Sequence, residues 1–242
     1  MDAARAMVSD AGEPERARSR PFGAEPRALG AEGYDAWYRT ARGRWVGDAE
    51  FRLLVSLLRP DAGESLLDIG CGTGYFARRF AREAGLRVAG LDRNPVWVDF
   101  ARQHGGSERY CVGRAEALPF ADRSFDYALS VAALCFVADQ RSAVREMLRV
   151  ARKRFAVGLL NRRSVLYLRK GLGGGAGAYR GAHWHTYREI RALLEGLPVG
   201  RVAIRTAIVL PGAGALVRGI ERLAPRRLPL GGFIAVAGDV VT

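Results

Sequence analysis

The sequence predicts a doubly wound α/β fold, a Rossmann-like, mostly parallel sheet with an antiparallel edge near the C-terminus. Three observations predict it. From residue 47 onward, short apolar runs alternate regularly with helical segments of about 10–15 residues. The runs are apolar throughout, as strands covered on both faces require. A glycine-rich turn, "LLDIGCGTGYF" (66–76), directly continues the first run.

Taken in order, "GDAEFRLLVSLLRP" (47–60) has the apolar spacing of a helix and is closed by Pro60. "SLLDIG" (65–70) is a strand, "YFARRFAREAG" (75–85) an amphipathic helix ended by Gly85, and "RVAGLD" (87–92) a second strand. "PVWVDFARQHG" (95–105) is a helix with proline in its first turn. "RYCVG" (109–113) and "FDYALSVAAL" (125–134) are the third and fourth strands, "DQRSAVREMLRVAR" (139–152) a helix, and "FAVGLLN" (155–161) the fifth strand. After Asn161 the rhythm breaks. "LRKGLGGGAGAYRGAHW" (168–184) reads as a mobile glycine loop, and Thr186 with Glu189 has capping-box spacing before a helix. "RVAIRTAIVL" and "GGFIAVAGDVV" read as closing strands around a short helix. The expected organisation is a disordered tail over residues 1–28, polar and charged, followed by one domain over 29–242. Within that domain, residues 161–200 form the expected lid and substrate segment.

Composition narrows the partners. No apolar run approaches ~18 residues, so no membrane span is expected, and the N-terminus lacks the apolar stretch of a secretory leader. A cytoplasmic location is the expectation. Cys71, Cys111 and Cys135 are odd in number and far apart, which fits neither a disulfide framework nor a metal-ligand spacing. The formal net charge of +13 raises nucleic acid as a partner. The arginines behind it are scattered through almost every helix, and the densest stretch, "RVARKRF" (149–155), reads as a helix end where cations complement the macrodipole.

The glycine turn lies where an open parallel sheet binds ligands, beyond the carboxyl end of its first strand. Gly70, Gly72 and Gly74 permit a tight turn and close approach of a ligand to the main chain. Asp92, ending the second strand, is placed to accept hydrogen bonds from a ribose diol. A dinucleotide site wants G-x-G-x-x-G, and the position of its third glycine is Tyr75. S-adenosyl-L-methionine carries no phosphate, and its amino group wants an acid such as Asp68. That set of residues favours S-adenosyl-L-methionine over a dinucleotide.

"LLDIGCGTG", "GLD" (90–92), "GRAEALPFADRSFD" (113–126) and "SVAALCFVAD" (130–139) together resemble the class I S-adenosylmethionine-dependent methyltransferases. The resemblance is to the subgroup that includes ubiquinone and menaquinone biosynthesis methyltransferases, and it covers residues 34–196. It implies that Gly70, Cys71, Gly72 and Gly74 pack against the methionine and ribose moieties, with Asp68 facing the amino-acid end. It further implies that Asp92 binds the ribose hydroxyls with Arg93 beside the adenine, that Ala115 and Glu116 flank the ring, and that Ser130 and Val131 line the reaction site. Tyr34, Trp37 and Tyr38 resemble the N-terminal element that covers the cofactor, although ordinary helix packing accounts for their spacing equally well. Arg114 stands where many relatives carry an acid for the adenine amino group, and "ARKRF" replaces a Pro-Gly-Gly turn.

No catalytic residue is singled out by this pattern, because the methyl donor is already activated and alignment does most of the work. His183 and His185 are open to a base, a metal-binding or a packing role. Nucleic-acid amino methyltransferases of this fold typically carry an Asn- or Asp-Pro-Pro-aromatic motif after the fourth strand, and "SVAALCF" stands there instead. The expected function is therefore methyl transfer to a small-molecule acceptor. An RNA-modifying methyltransferase and a non-catalytic S-adenosylmethionine-binding regulator are the alternatives.

Overall fold

The computed structural model describes residues 30–210, 219, 221 and 228–241. The tail expected over 1–28 lies outside the described residues, as does most of the segment expected as a short helix between the last two strands. The first helices are α1 (Gly30–Trp37) and α2 (Ala41–Leu58). There follow β1 (Ser65–Ile69), α3 (Tyr75–Ala84), β2 (Arg87–Asp92), α4 (Pro95–His104), β3 (Arg109–Val112), β4 (Phe125–Val131), α5 (Gln140–Val150) and β5 (Ala151–Leu160). The last part holds α6 (Val165–Lys170), α7 (Tyr187–Leu194), β6 (Val199–Ala207) and β7 (Phe233–Val240).

All seven strands form one sheet in the order β3-β2-β1-β4-β5-β7-β6. β1 pairs in parallel with both β2 and β4, and β5 with β4, while β7 runs antiparallel between β5 and β6. The chain leaves β1 for β2 and β3 on one side, then returns to place β4 on the other. The gap between the carboxyl ends of β1 and β4 is therefore the switch point of the sheet, where a crevice opens. Successive strand residues feed opposite cores, as the pleat demands. Leu66 and Ala156 join the face packed by Leu54 of α2 and Phe80 of α3, whereas Leu67 and Phe155 join the face packed by Met147 and Leu148 of α5. Among the described residues no helix is long and apolar enough to cross a membrane.

Local chemistry explains where the helices begin. Thr40 accepts from the Gly43 amide at 3.0 Å ahead of α2, and Asp139 from the Ser142 amide at 3.0 Å ahead of α5. Asn94 caps α4, which has Pro95 in its first turn. The expected capping box at Thr186 and Glu189 is formed in both directions.

Two expectations change. β5 begins at Ala151 instead of residue 155, so most of the basic stretch lies on a strand and not at a helix end. Arg152, Lys153 and Arg154 pair there with Asp126, Glu64 and Asp239, three acids distant in sequence. The glycine-rich segment is also more ordered than a plain loop. Ser164 caps α6, one-turn helices follow at Leu172–Gly174 and Gly177–Tyr179, and the buried Trp184 packs against the rings of Tyr167 and Tyr179.

The β5–β7 contact depends on a missing side chain. A Cβ at Gly158 would stand 2.3 Å from Cζ of Phe233, whose ring is buried. Gly158→Ala is therefore expected to overpack this seam and destabilise the fold by about 1–3 kcal/mol. A lower urea midpoint at unchanged slope is the expected result; an unshifted midpoint would contradict the packing described.

Candidate functional site

The site grows from the turn after β1. Gly70 and Gly72 have φ of +74° and +57°, a region that side-chain-bearing residues avoid. The amides of Gly70 and Cys71 donate to the Leu91 carbonyl at 2.6 and 3.0 Å. Asp92, at the end of β2, accepts from the Gly72 amide at 2.9 Å through one oxygen and from the Asn94 amide at 2.9 Å through the other. A Cβ on Gly70 would lie 2.2 Å from that of Ala133, and one on Gly72 would lie 3.1 Å from the Trp97 ring. The turn is thus fixed between the loop after β4 and the indole of α4.

A cavity of about 470 Å³ opens beside it, at the switch point of the sheet. Asp68, Gly70, Cys71, Gly72, Asp92, Arg93, Ala115, Glu116, Ser130 and Val131 all line it. Gly74 does not. Its φ of +79° starts α3, and a Cβ there would meet the Tyr110 hydroxyl at 2.7 Å, so its requirement for glycine comes from packing behind the turn.

The polar groups of the cavity have unequal surroundings. Asp68 is 1% exposed, and neither carboxylate oxygen meets a partner of good hydrogen-bond geometry. Burial first and the nearby Asp92 second push this carboxyl up to about 7, with the Ala77 amide offsetting a small part. The Ser130 hydroxyl is likewise buried without a partner. Burial also raises the Cys71 thiol well above its usual range, which leaves it a neutral wall and not a nucleophile. Arg114 is exposed and pairs with Glu116 at 3.1 Å, so its guanidinium points to solvent beside the cavity mouth.

The aromatics expected to cover the cofactor are packed at the cavity. Tyr34, Trp37 and Tyr38 line the cavity. Tyr34 lies 5.0 Å from Trp97 between ring centroids, and Tyr38 stacks on Tyr75 at 3.6 Å. Asp35 anchors this cover. It is 7% exposed and pairs with Arg78 of α3 and with Arg39, while Arg78 also donates to the Thr73 carbonyl at 2.6 Å. The ion pair therefore ties α1 to the glycine turn itself.

Sequence reasoning missed Asp35 and Glu50. Glu50 of α2 lines the cavity, and burial pushes its carboxyl up to about 8. The available signal was its position: four residues after Val46 and four before the buried Leu54, an acid on the apolar face of its helix. The histidines go the other way, since neither lines the cavity. His185 is 1% exposed, its Nε2 lies 2.9 Å from Oε1 of Gln140, and burial pushes it down to about 4. That is a neutral packing histidine. His183 lies 3.8 Å from Glu189, away from the cavity.

Comparison with known proteins agrees with this architecture. Residues 67–155 match the family model described as a methyltransferase domain. The chain is 39% identical over 126 residues to a malonyl-[acyl-carrier protein] O-methyltransferase of Serratia marcescens, covering 52% of this chain and 46% of that protein. It is 34% identical over 101 residues to the O-methyltransferase resE of Aspergillus sclerotiorum, covering 39% and 38% of the two chains. This chain thus spans less than half the length of these curated relatives. Among solved structures, a methyltransferase of Thermotoga maritima described as a possible histamine N-methyltransferase superposes with a TM-score of 0.68 at 23% identity, covering 88% of this chain and 97% of that one. Geranyl diphosphate C-methyltransferase of Streptomyces coelicolor, solved with S-adenosyl-L-homocysteine, superposes with a TM-score of 0.60 at 19% identity, covering 82% and 80%. Over residues 67–155 the chain is thus similar to methyltransferase domains, and its fold is that of solved methyltransferases.

Proposed function

We propose that this protein transfers a methyl group from S-adenosyl-L-methionine to a small-molecule acceptor. The observation that carries the proposal is Asp68, a buried carboxylate without a partner at the inner wall of the cavity. A buried charge of this kind calls for a cation, and the donor's amino group supplies one. The Ser130 hydroxyl supplies a second unfilled hydrogen-bonding position on the same wall. A dinucleotide fits poorly. Tyr75 begins α3 and is covered by the Tyr38 ring, so the helix end that would receive a diphosphate is crowded, and Asp68 and Asp92 would repel it.

In this reading Asp68 orients the amino-acid end and the backbone of Gly70–Gly72 lies against the sulfonium side. Asp92 holds the ribose with lone pairs left over from its two amide contacts, and Ala115 and Glu116 flank the adenine. S-adenosyl-L-methionine, when bound, supplies an already electrophilic methyl group. What remains for the chain is alignment and exclusion of water. Tyr34, Trp37 and Tyr38 close one side. Ala132, Ala133, Leu134, Phe136 and Val137 after β4 form an apolar wall, and Ala178 and Tyr179 of the expected lid segment close the cavity beyond it. These apolar linings favour a small, partly hydrophobic acceptor over a nucleic-acid base. The roles proposed for residues 161–200 and for a single domain over 29–242 follow from the same placement.

Binding provides the first test. S-adenosyl-L-methionine and S-adenosyl-L-homocysteine are expected to raise the melting temperature, and NAD is not; no shift with either of the first two would overturn the proposal. Asp92→Ala removes a ribose partner together with the clamp on Gly72, and the expected weakening is about 10- to 100-fold by calorimetry. The free Asp68 carboxyl titrates near 7, and the ammonium binds its ionised form. Affinity for S-adenosyl-L-homocysteine is therefore expected to increase as pH rises from about 6 to 8, with proton release on binding at the low end. Asp68→Asn is expected to abolish that slope and weaken binding; a slope that survives the substitution would remove Asp68 from this role.

A further inference from the structure

Resting on the methyl-transfer reading, we propose that Glu50 is the polar anchor and proton acceptor for the methyl acceptor, which is a molecule bearing an O–H or N–H nucleophile on an apolar body. Along the sheet, the cavity lining runs from the ends of β2 and β3, where Asp92 and Glu116 stand, to the ends of β4 and β5, where Val131 and Leu160 stand. Glu50 lines the same cavity from α2, which packs on β5, β7 and β6. Its neighbours there include Val46, Tyr38 and Tyr75, and its charge is close enough to raise the phenols of both tyrosines. Beyond them lie Phe136, Val137 and Tyr179.

Two facts make the carboxyl a binding group for the acceptor instead of a structural one. Among the described residues, Glu50 has no hydrogen-bond or ion-pair partner, although the acids at α1 and β4 are well supplied with them. It also occupies a helix position that packing alone would give to an apolar residue, as Phe51 and Leu54 show. Partly shielded from solvent at the cavity wall, it is a stronger base than an ordinary glutamate.

The charge balance of the cavity selects the acceptor class. Among the described residues, the cations lining it are Arg93 and Arg114, both at the Asp92 end. Beside ionised Glu50, a carboxylate or phosphate acceptor would bury a second negative charge with no cation there among the described residues. An alcohol, phenol or amine instead donates a hydrogen bond to Glu50 and buries its apolar body against Val46, Phe136 and Val137. On transfer, the acceptor oxygen or nitrogen forms a bond to the methyl carbon while the carbon–sulfur bond breaks and its electron pair goes to sulfur. With Glu50 ionised, the acceptor proton passes to its carboxylate oxygen, so no further reagent is needed.

Four probes of similar size test this: 4-ethylphenol, phenethylamine, ethylbenzene and 3-phenylpropionate. Each is titrated by calorimetry into the protein saturated with S-adenosyl-L-homocysteine, for the native chain and for Glu50→Gln and Glu50→Leu. The native protein is expected to bind the phenol and the amine at least tenfold more tightly than ethylbenzene and 3-phenylpropionate. Both substitutions are expected to erase that preference while leaving affinity for S-adenosyl-L-homocysteine within twofold. Equal binding of all four by the native protein, binding of none, or a preference that survives both substitutions would overturn the role of Glu50. Failure of S-adenosyl-L-homocysteine to bind the native protein would instead overturn the methyl-transfer reading. The four probes would then be titrated into the free protein, where the same preferences decide the role of Glu50.

Discussion

The hydrogen bond from the Gly72 amide to the Asp92 carboxylate is the constraint on which the rest of the site depends. It joins the turn after β1 to the end of β2, and the other oxygen of the same carboxylate caps the backbone entering α4. One side chain therefore sets the height of the glycine turn, the start of α4 and the position of Trp97 over Gly72. Tyr34 rests on Trp97, so the covering helix α1 takes its place from the same origin. The Asp35–Arg78–Thr73 chain secures that cover from the opposite side of the turn. Floor and roof of the cavity are consequently referred to a single loop, which is what alignment of two reactants requires.

Such a cavity carries an energetic cost. Asp68 and Glu50 both hold carboxyls whose pKa is raised by burial. For each, the folded chain keeps its proton to a higher pH than the unfolded chain does. Stability is therefore fullest below the ordinary carboxylate pKa and declines as pH rises toward about 7 for Asp68 and about 8 for Glu50. Packing would be better served by apolar residues at both places. Groups that weaken the empty protein and face a shared cavity are the ones a ligand can relieve. Both acids line the same cavity, and the proposed ligands are an ammonium at Asp68 and a protic nucleophile at Glu50.

The fold was legible because its signals are local. Apolar strands, a proline-started α4, the Thr186–Glu189 box and the Gly85 end of α3 each declare themselves within a few residues. The start of β5 did not, since Arg152, Lys153 and Arg154 are drawn into the strand by Asp126, Glu64 and Asp239, partners that no window around residue 152 contains. The residues read from the glycine motif line one cavity apart from Gly74, where the glycine answers to Tyr110. His183 and His185 drew attention by residue type alone, yet three-dimensional placement gives His185 a neutral, buried partnership with Gln140. Glu50 was the reverse case. Its residue type is common and its helical phase is the informative feature, visible only once α2 is known to lie against the sheet.

The boundaries of the family match explain why the donor end of this protein is easier to read than the acceptor end. The matched segment, residues 67–155, contains the glycine turn, Asp92, the Ala115–Glu116 pair and Ser130. Tyr38, Glu50 and Tyr179, which line the proposed acceptor site, and Tyr34 of the cover all lie outside it. On the proposed reading the middle of the chain holds the methyl donor, whereas α1, α2 and the segment after β5 meet the acceptor. Curated relatives as different as an acyl-carrier-protein O-methyltransferase and a sterol C-methyltransferase match this chain over only part of its length, as that division requires. The proposed acceptor site therefore draws on the flanking helices, where Glu50 is an acid that lines the cavity without a partner among the described residues.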